Sequence, residues 1–271
     1  MNGWVLAAVV LAATKGPVVF GDARQWFILS REGKLLERVT EIGGTRVDDL
    51  AVSPDGASRA YVPSGRRELR LWRKDWAAPV SVPNDADVVA SPVFSDDGRQ
   101  VYFTQNSLRP HNVGAPMRYA QVWRVPATGG AATQLTHALG CHLFPTVSAG
   151  DSVVFTHATC KGGRGVGILR AGSTLEELLV SQKAENGQAL LDARGLRLVF
   201  LRAIPGDNVL FEVELATRRE RRIQSLGPDA TTPRMAWAAD GVSVLYQKRD
   251  AVWRVSPDGA QSLVLTMEGP R

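Results

Sequence analysis

Four side chains close together in the sequence offer the donor atoms of a transition-metal site: Cys141, His142, His157 and Cys160. Thiolate sulfur and imidazole nitrogen are the usual ligands of tetrahedral zinc. Whether one ion could collect them depends on strand register. A hairpin about a two-residue turn at Gly150 and Asp151 sets Cys141 opposite Cys160, His142 opposite Thr159 and Phe144 opposite His157. Side chains alternate across a strand, so both histidines then lie on the face away from the cysteines. No single metal reaches all four. The register favours a Cys141–Cys160 disulfide over zinc, and no metal or other cofactor is expected. These are the chain's only two cysteines, an even count that leaves no thiol over in an oxidising compartment.

Other candidate chemistry is sparse. The sequence contains no GxSxG nucleophile elbow, HExxH zinc helix, phosphate-binding GxxxxGK or EF-hand loop, so no catalytic residue is assigned. His111 stands alone in an expected loop and His137 alone after a strand, as ordinary surface histidines do. The paired acids Asp48 with Asp49, Asp85 with Asp87 and Asp96 with Asp97 have the composition of solvated turns. The net charge of +5 is modest and spread along the chain. Local concentrations, Arg66, Arg67, Arg70 and Arg73 and then Arg218, Arg219, Arg221 and Arg222, fall between strand-like runs and read as solvated turns. With no nucleic-acid motif beside them, no nucleic-acid partner is expected.

The elements that must position these residues come from a repeat. LAVSPDGASRAYV from Leu50, PVFSDDGRQVYF from Pro92 and MAWAADGVSVLY from Met235 share one pattern: an apolar strand, an Asp-Gly turn and a second apolar strand. PTVSAGDSVVF from Pro145 and ALLDARGLRLVF from Ala189 are weaker copies. Their turn glycines, Gly56, Gly98, Gly150, Gly195 and Gly241, are spaced by 42, 52, 45 and 46 residues, the period of a four-stranded propeller blade. Short, β-branched and aromatic runs broken by Gly and Pro argue for strands over helix pairs. Pro and Asp preset the turn and Gly accepts its positive φ, so Ser53, Pro54, Asp55 and Gly56 read as architecture and not as a catalytic Ser and Asp. Two further strands follow most copies, as in AQVWRVPATGG from Ala120, although the stretch from Thr174 to Val180 could be a helical turn.

SPDG after an apolar strand, followed by a VWRV-type strand and a QLT ending, resembles the WD-like repeats of TolB-type propellers. WFILSREGKLLERV from Trp26, leading into LAVSPDG, resembles their opening blade. The resemblance runs from about Val18 to Thr266 and implies an all-β, six-bladed β-propeller of four-stranded antiparallel blades in one domain, residues 14–271. Ala149 with Gly150, and Ala193 with Arg194, depart from the pattern. Residues 1–13 stay open between two readings. The apolar run from Trp4 to Ala13 suits an export signal with a small-residue end, yet Val10 to Phe20 also aligns as a first hairpin whose inner strand lies in that run. It is too short for a bilayer-spanning helix, so no membrane span is expected.

Propeller topology opens the links between second and third strands on one face, and two are enlarged: residues 106–120 and 160–167. Long loops on a rigid scaffold are where binding resides. Arg109, His111, Arg118, Tyr119, Lys161 and Arg164 are therefore the candidate binding residues, suited to an acidic partner. Together with the resemblance, this implies a monomeric, non-catalytic scaffold that binds a protein in the periplasm or outside the cell. The alternatives are a propeller enzyme with a central-channel site, a lyase or hydrolase, and a sensor of a small ligand or ion.

Overall fold

The computed structural model describes residues 16–84, 86–109, 117–148, 150–159, 163–180, 185–228 and 234–267, and these contain strands and turns with no helix. The local chemistry of the repeat is visible in its turns. Ser53 Oγ donates to Asp55 Oδ1 at 2.5 Å, Asp55 accepts the Ala57 amide at 2.9 Å, and Ser53 Oγ accepts the Ser58 amide at 2.8 Å. Ser95 and Asp97 repeat the arrangement. Gly56 and Gly98 close these turns at φ of 72° and 73°, a conformation glycine adopts without penalty. Where the fifth copy lacks the Ser-Pro-Asp sequence, buried Asp192 serves instead, accepting the amides of Leu196 and Arg197 at 2.8 and 3.1 Å.

Strands β1 (Val18–Asp22), β2 (Gln25–Leu29) and β3 (Leu35–Val39) form a three-stranded sheet. The short β4 (Glu41–Ile42) pairs with β5 (Thr45–Val52), whose sheet continues through β6 (Ser58–Pro63), β7 (Arg70–Arg73) and β8 (Val80–Ser81). Next come β9 (Val89–Phe94), β10 (Gln100–Arg109), β11 (Met117–Pro126) and β12 (Thr133–Gln134). An eight-stranded sheet follows. One antiparallel half is β13 (Cys141–Val147), β14 (Val153–Ala158), β15 (Arg164–Leu169) and β16 (Glu176–Val180). The other is β17 (Glu185–Leu191), β18 (Arg197–Ile204), β19 (Asp207–Glu214) and β20 (Arg219–Ser225), joined to the first only by the parallel pair Arg164 and Glu185. The last sheet is β21 (Met235–Trp237), β22 (Val244–Lys248), β23 (Ala251–Val255) and β24 (Gln261–Thr266).

Apolar side chains pack between neighbouring units, which gives the arrangement its propeller character. Trp26, Ile28 and Val39 of the first unit pack on Val47, Leu50 and Tyr61 of the second. The same pattern joins each later pair, as in Ala60, Leu71, Phe94 and Phe103, or Tyr102, Val122, Phe155 and Leu169. Phe20, Phe27 and Leu29 then meet Leu245, Val252 and Met267, so the last unit packs on the first. Indole nitrogens stitch neighbours together as well: Trp26 donates to Val47 O at 2.9 Å and Trp237 to Leu191 O at 3.0 Å.

Two expectations change. Residues 176–180 form strand β16, not a helical turn, because their amides and carbonyls pair with β15. Arg219, Arg221 and Arg222 lie in β20 and only Arg218 in a turn; Arg218, Arg221 and Arg222 pair with Glu177, Glu212 and Asp207. In the first unit, Gly16 lies against Pro54, where a Cβ would fall 2.4 Å from Pro54 Cα, and the Gly21 amide donates to Gln247 Oε1 at 2.9 Å. That direction makes β1 the second strand of its unit, and the inner strand expected in residues 10–13 lies outside the described residues.

The last hairpin turn carries an acid-sensitive joint. Burial pushes the Asp240 carboxyl up, but hydrogen bonds from the Ser243 hydroxyl, the amides of Ser243 and Val242, and Arg254 outweigh it and hold it at about 2. A depressed carboxyl contributes stability above its unfolded value, and that contribution is lost as pH falls from about 4 to about 2. Asp240→Ala is expected to cost about 1–3 kcal/mol at neutral pH. Urea midpoints at pH 7, 3 and 2 check it: the gap between wild type and variant should narrow with acid.

Candidate functional site

Three places gather functional side chains. The first is the enlarged link of the third unit. Strands β10 and β11 stay paired out to Arg109 with Met117, whereas β10 pairs with β9 only as far as Gln105. Beyond Asn106, whose amide still donates to Val88 O at 3.1 Å, the hairpin has no third strand beside it among the described residues. Half of the expected loop is thus a two-stranded arm, because antiparallel pairing satisfies backbone groups that a loop would leave to water. Asn106 anchors its base, accepting the amides of Asp87 and Val88 at 2.7 and 3.2 Å through Oδ1. Tyr119 is buried at 3 % exposure, at the arm's footing. The register sets Arg118 opposite Leu108 and Arg109 opposite Met117, which brings the two arginine positions to adjacent rungs. Arg164 opens β15 and lies 3.4 Å from Glu185. His111 and Lys161 lie outside the described residues.

The second place is the central channel, a cavity of about 330 Å³ lined by β1, the inner strands β5, β9, β13, β17 and β21, and flanking residues. Toward the amino-terminal ends of the inner strands, Arg234 pairs with Asp49, donates to Leu50 O at 2.6 Å and stacks 4.4 Å over the Trp26 ring. Asp49 also accepts the Ser91 amide at 2.7 Å. Burial pushes the Arg234 guanidinium down to about 10, so it remains charged at neutral pH. At the other end Arg31 donates to Gly16 O and Trp237 O at 3.1 and 2.7 Å. Burial pushes Arg31 down and Asp96 up, each opposed by the attraction of the other. Asp49, Arg234 and Arg31 are thus engaged with backbone groups, and the first two with one another.

The third place is the hairpin of the two cysteines. Its register differs from the expected one by two residues: Cys141 stands opposite Ala158, and His142 opposite His157. Two irregularities account for this. The turn is a residue longer, with the Ser148 amide bonded to Ser152 O, and a bulge between Leu143 and Thr146 takes Phe144 to a φ of 52°. Cys160, two positions beyond Ala158, lies outside the described residues. The histidines do share one face, where their rings meet edge to face at 4.7 Å and His142 contacts Phe155 at 4.8 Å.

Glu176 joins them from β16, its Oε2 2.8 Å from His142 Nε2. Burial pushes the Glu176 carboxyl up, yet the His142 imidazole and the amides of His137 and Ala138, at 2.6 and 3.0 Å, hold it at about 2. Burial and the neighbouring His142 push His157 down. The donor atoms of His142, His157 and Glu176 all lie within 4.8 Å of one another. Sequence reasoning found both histidines but missed Glu176, since no spacing rule links it to a hairpin two strands away.

No family model and no curated protein matches the sequence. Solved structures do. A TolB structure from Agrobacterium tumefaciens superposes with a TM-score of 0.63 at 15% identity, over 86% of this chain and 83% of that one. The chain has the TolB-like propeller fold. TolB from Acinetobacter baumannii gives 0.65 at 15% identity, over 91% of this chain and 62% of that longer one. Oligogalacturonate lyase from Vibrio parahaemolyticus gives 0.60 at 13% identity, over 94% and 78%. At such identities the likeness is one of fold, and TolB-like architecture hosts both an enzyme and TolB itself. Among the described residues of this TolB-like propeller, no helix is long and apolar enough to cross a membrane.

Proposed function

We propose that the chain closes as a six-bladed propeller and acts as a non-catalytic, exported scaffold that holds a protein partner in the cell envelope. Packing between each pair of neighbouring units, and between last and first, supports six blades. The observation that carries the binding role is the β10–β11 arm, which continues past its sheet and bears Arg109 and Arg118 on adjacent rungs, on the face where Arg164 also begins its strand. With His111 and Lys161 these form the proposed contact surface for an acidic partner, which the arginines would steer toward the arm, while buried Tyr119 seats the arm's base. Affinity capture from an envelope fraction, comparing wild type with an arm-shortened variant, tests it.

A second reading is favoured by the channel and the likeness to a lyase: a propeller enzyme acting in the 330 Å³ cavity. The engagement of Asp49, Arg234 and Arg31 with one another and with the backbone weighs against it, since acid and base groups must be free to meet a substrate.

Export would oxidise the cysteines, with Cys141 bonded to Cys160 beyond the paired end of the hairpin. Alkylation under denaturing conditions of protein taken from the envelope is expected to find no free thiol. Two reactive thiols would remove the disulfide.

A further inference from the structure

We propose that His142, His157 and Glu176 form a divalent transition-metal site, suited to zinc, between the inner hairpin and the outer strand of the fourth blade. The three come from β13, β14 and β16. Two imidazoles and one carboxylate are a ligand set that zinc accepts, with a fourth position left for water.

The decisive feature is how His142 is held. It has no exposed surface, yet neither ring nitrogen makes a hydrogen bond, and neither does Glu176 Oε2 although it sits 2.8 Å from Nε2. A buried imidazole has at least one N–H and one lone pair to satisfy, and leaving them unmet is costly. An imidazole nitrogen and a carboxylate oxygen that face one another in a buried cluster without an aligned hydrogen bond are disposed to share a bound cation. The far side of Glu176 is already fixed by the His137 and Ala138 amides, leaving Oε2 to face the histidines. Such outer contacts are what orient a metal-binding carboxylate. Gly140 completes the wall: a Cβ there would fall 2.7 Å from Ala158 O and 3.1 Å from His157 Nε2, so only glycine lets the incoming chain pass this close.

Two ligands of one tetrahedral zinc ion, each bound at about 2.0–2.1 Å, lie about 3.3 Å apart. The separations here run from 2.8 Å between His142 Nε2 and Glu176 Oε2 up to 4.8 Å, so binding requires shifts of about 0.5–1.5 Å, within reach of side-chain rotations. Cys141 precedes His142 and points to the other face of the strand, so the site does not use it.

Titration calorimetry of the full chain, stripped by chelator, with zinc ion alone is the test. One equivalent should bind and raise the Tm. His157→Gln, at the partly exposed ligand, and Glu176→Gln should each weaken binding at least tenfold and abolish the Tm rise, with unchanged circular dichroism. A Cys141→Ser, Cys160→Ser double variant should bind as wild type does. Cobalt as a spectroscopic substitute should show no thiolate charge-transfer band. Absence of binding, binding indifferent to both ligand variants, or binding lost with the cysteines would each overturn the site.

Discussion

Asp49→Ala is expected to destabilise the protein by about 3 kcal/mol, near the lower end of the cost of orphaning a buried charge. Asp49 is the only carboxylate paired with Arg234 among the described residues, and the guanidinium is otherwise held by Leu50 O and the Trp26 ring. Removing the acid leaves that charge in the channel with no counter-ion. The lower end applies because the two side chains retain 24% and 18% of their exposure. The variant also loses the acceptor of the Ser91 amide, which itself sits at a φ of 54°. Urea unfolding measures the loss. Asp49→Leu combined with Arg234→Met should recover much of it, because replacing both partners of a buried pair by apolar groups is often near neutral. A double variant as unstable as Asp49→Ala would mean that shape, and not charge, dominates at this site.

Shortening the arm should do the opposite, sparing the fold and removing the partner. Replacing residues 108–118 by Asn-Gly closes a two-residue hairpin on the pair Ser107 and Tyr119, with a sequence suited to the required turn. The anchoring bonds of Asn106 and the buried Tyr119 ring are retained. Because no third strand pairs with the rungs Leu108–Arg118 and Arg109–Met117 among the described residues, the Tm is expected to change by no more than about 2 °C. Partner recovery in affinity capture should fall at least tenfold. Arg109→Glu, Arg118→Glu and Arg164→Glu together should lower recovery in a salt-sensitive manner, since charges that steer a partner act mainly on encounter. Full recovery by the shortened variant would remove the arm from the binding surface and leave the channel as the place to look.

The sequence by itself determined the strand class, the blade period and the tight turns. Ser53 and Asp55, or Ser95 and Asp97, bond within five residues of themselves, so their geometry follows from chain adjacency and glycine's freedom at positive φ. Even the departure at Ala193 and Arg194 keeps this logic, with Asp192 supplying the acceptor locally.

Tertiary structure decided what depends on distant partners. β16 is a strand because β15 offers its edge, not because Glu176–Val180 shows a strand's alternation; its burial does not alternate. The β13–β14 register turned on one extra turn residue and one bulge, each of which moves the pairing by a single residue and together return the same faces two positions along. The pairing of Asp49 with Arg234 spans 185 residues, and that of His142 with Glu176 joins the first and last strands of one blade. Neither has a local signal. Such contacts exist only once neighbouring units have packed and the ring has brought their side chains into one volume.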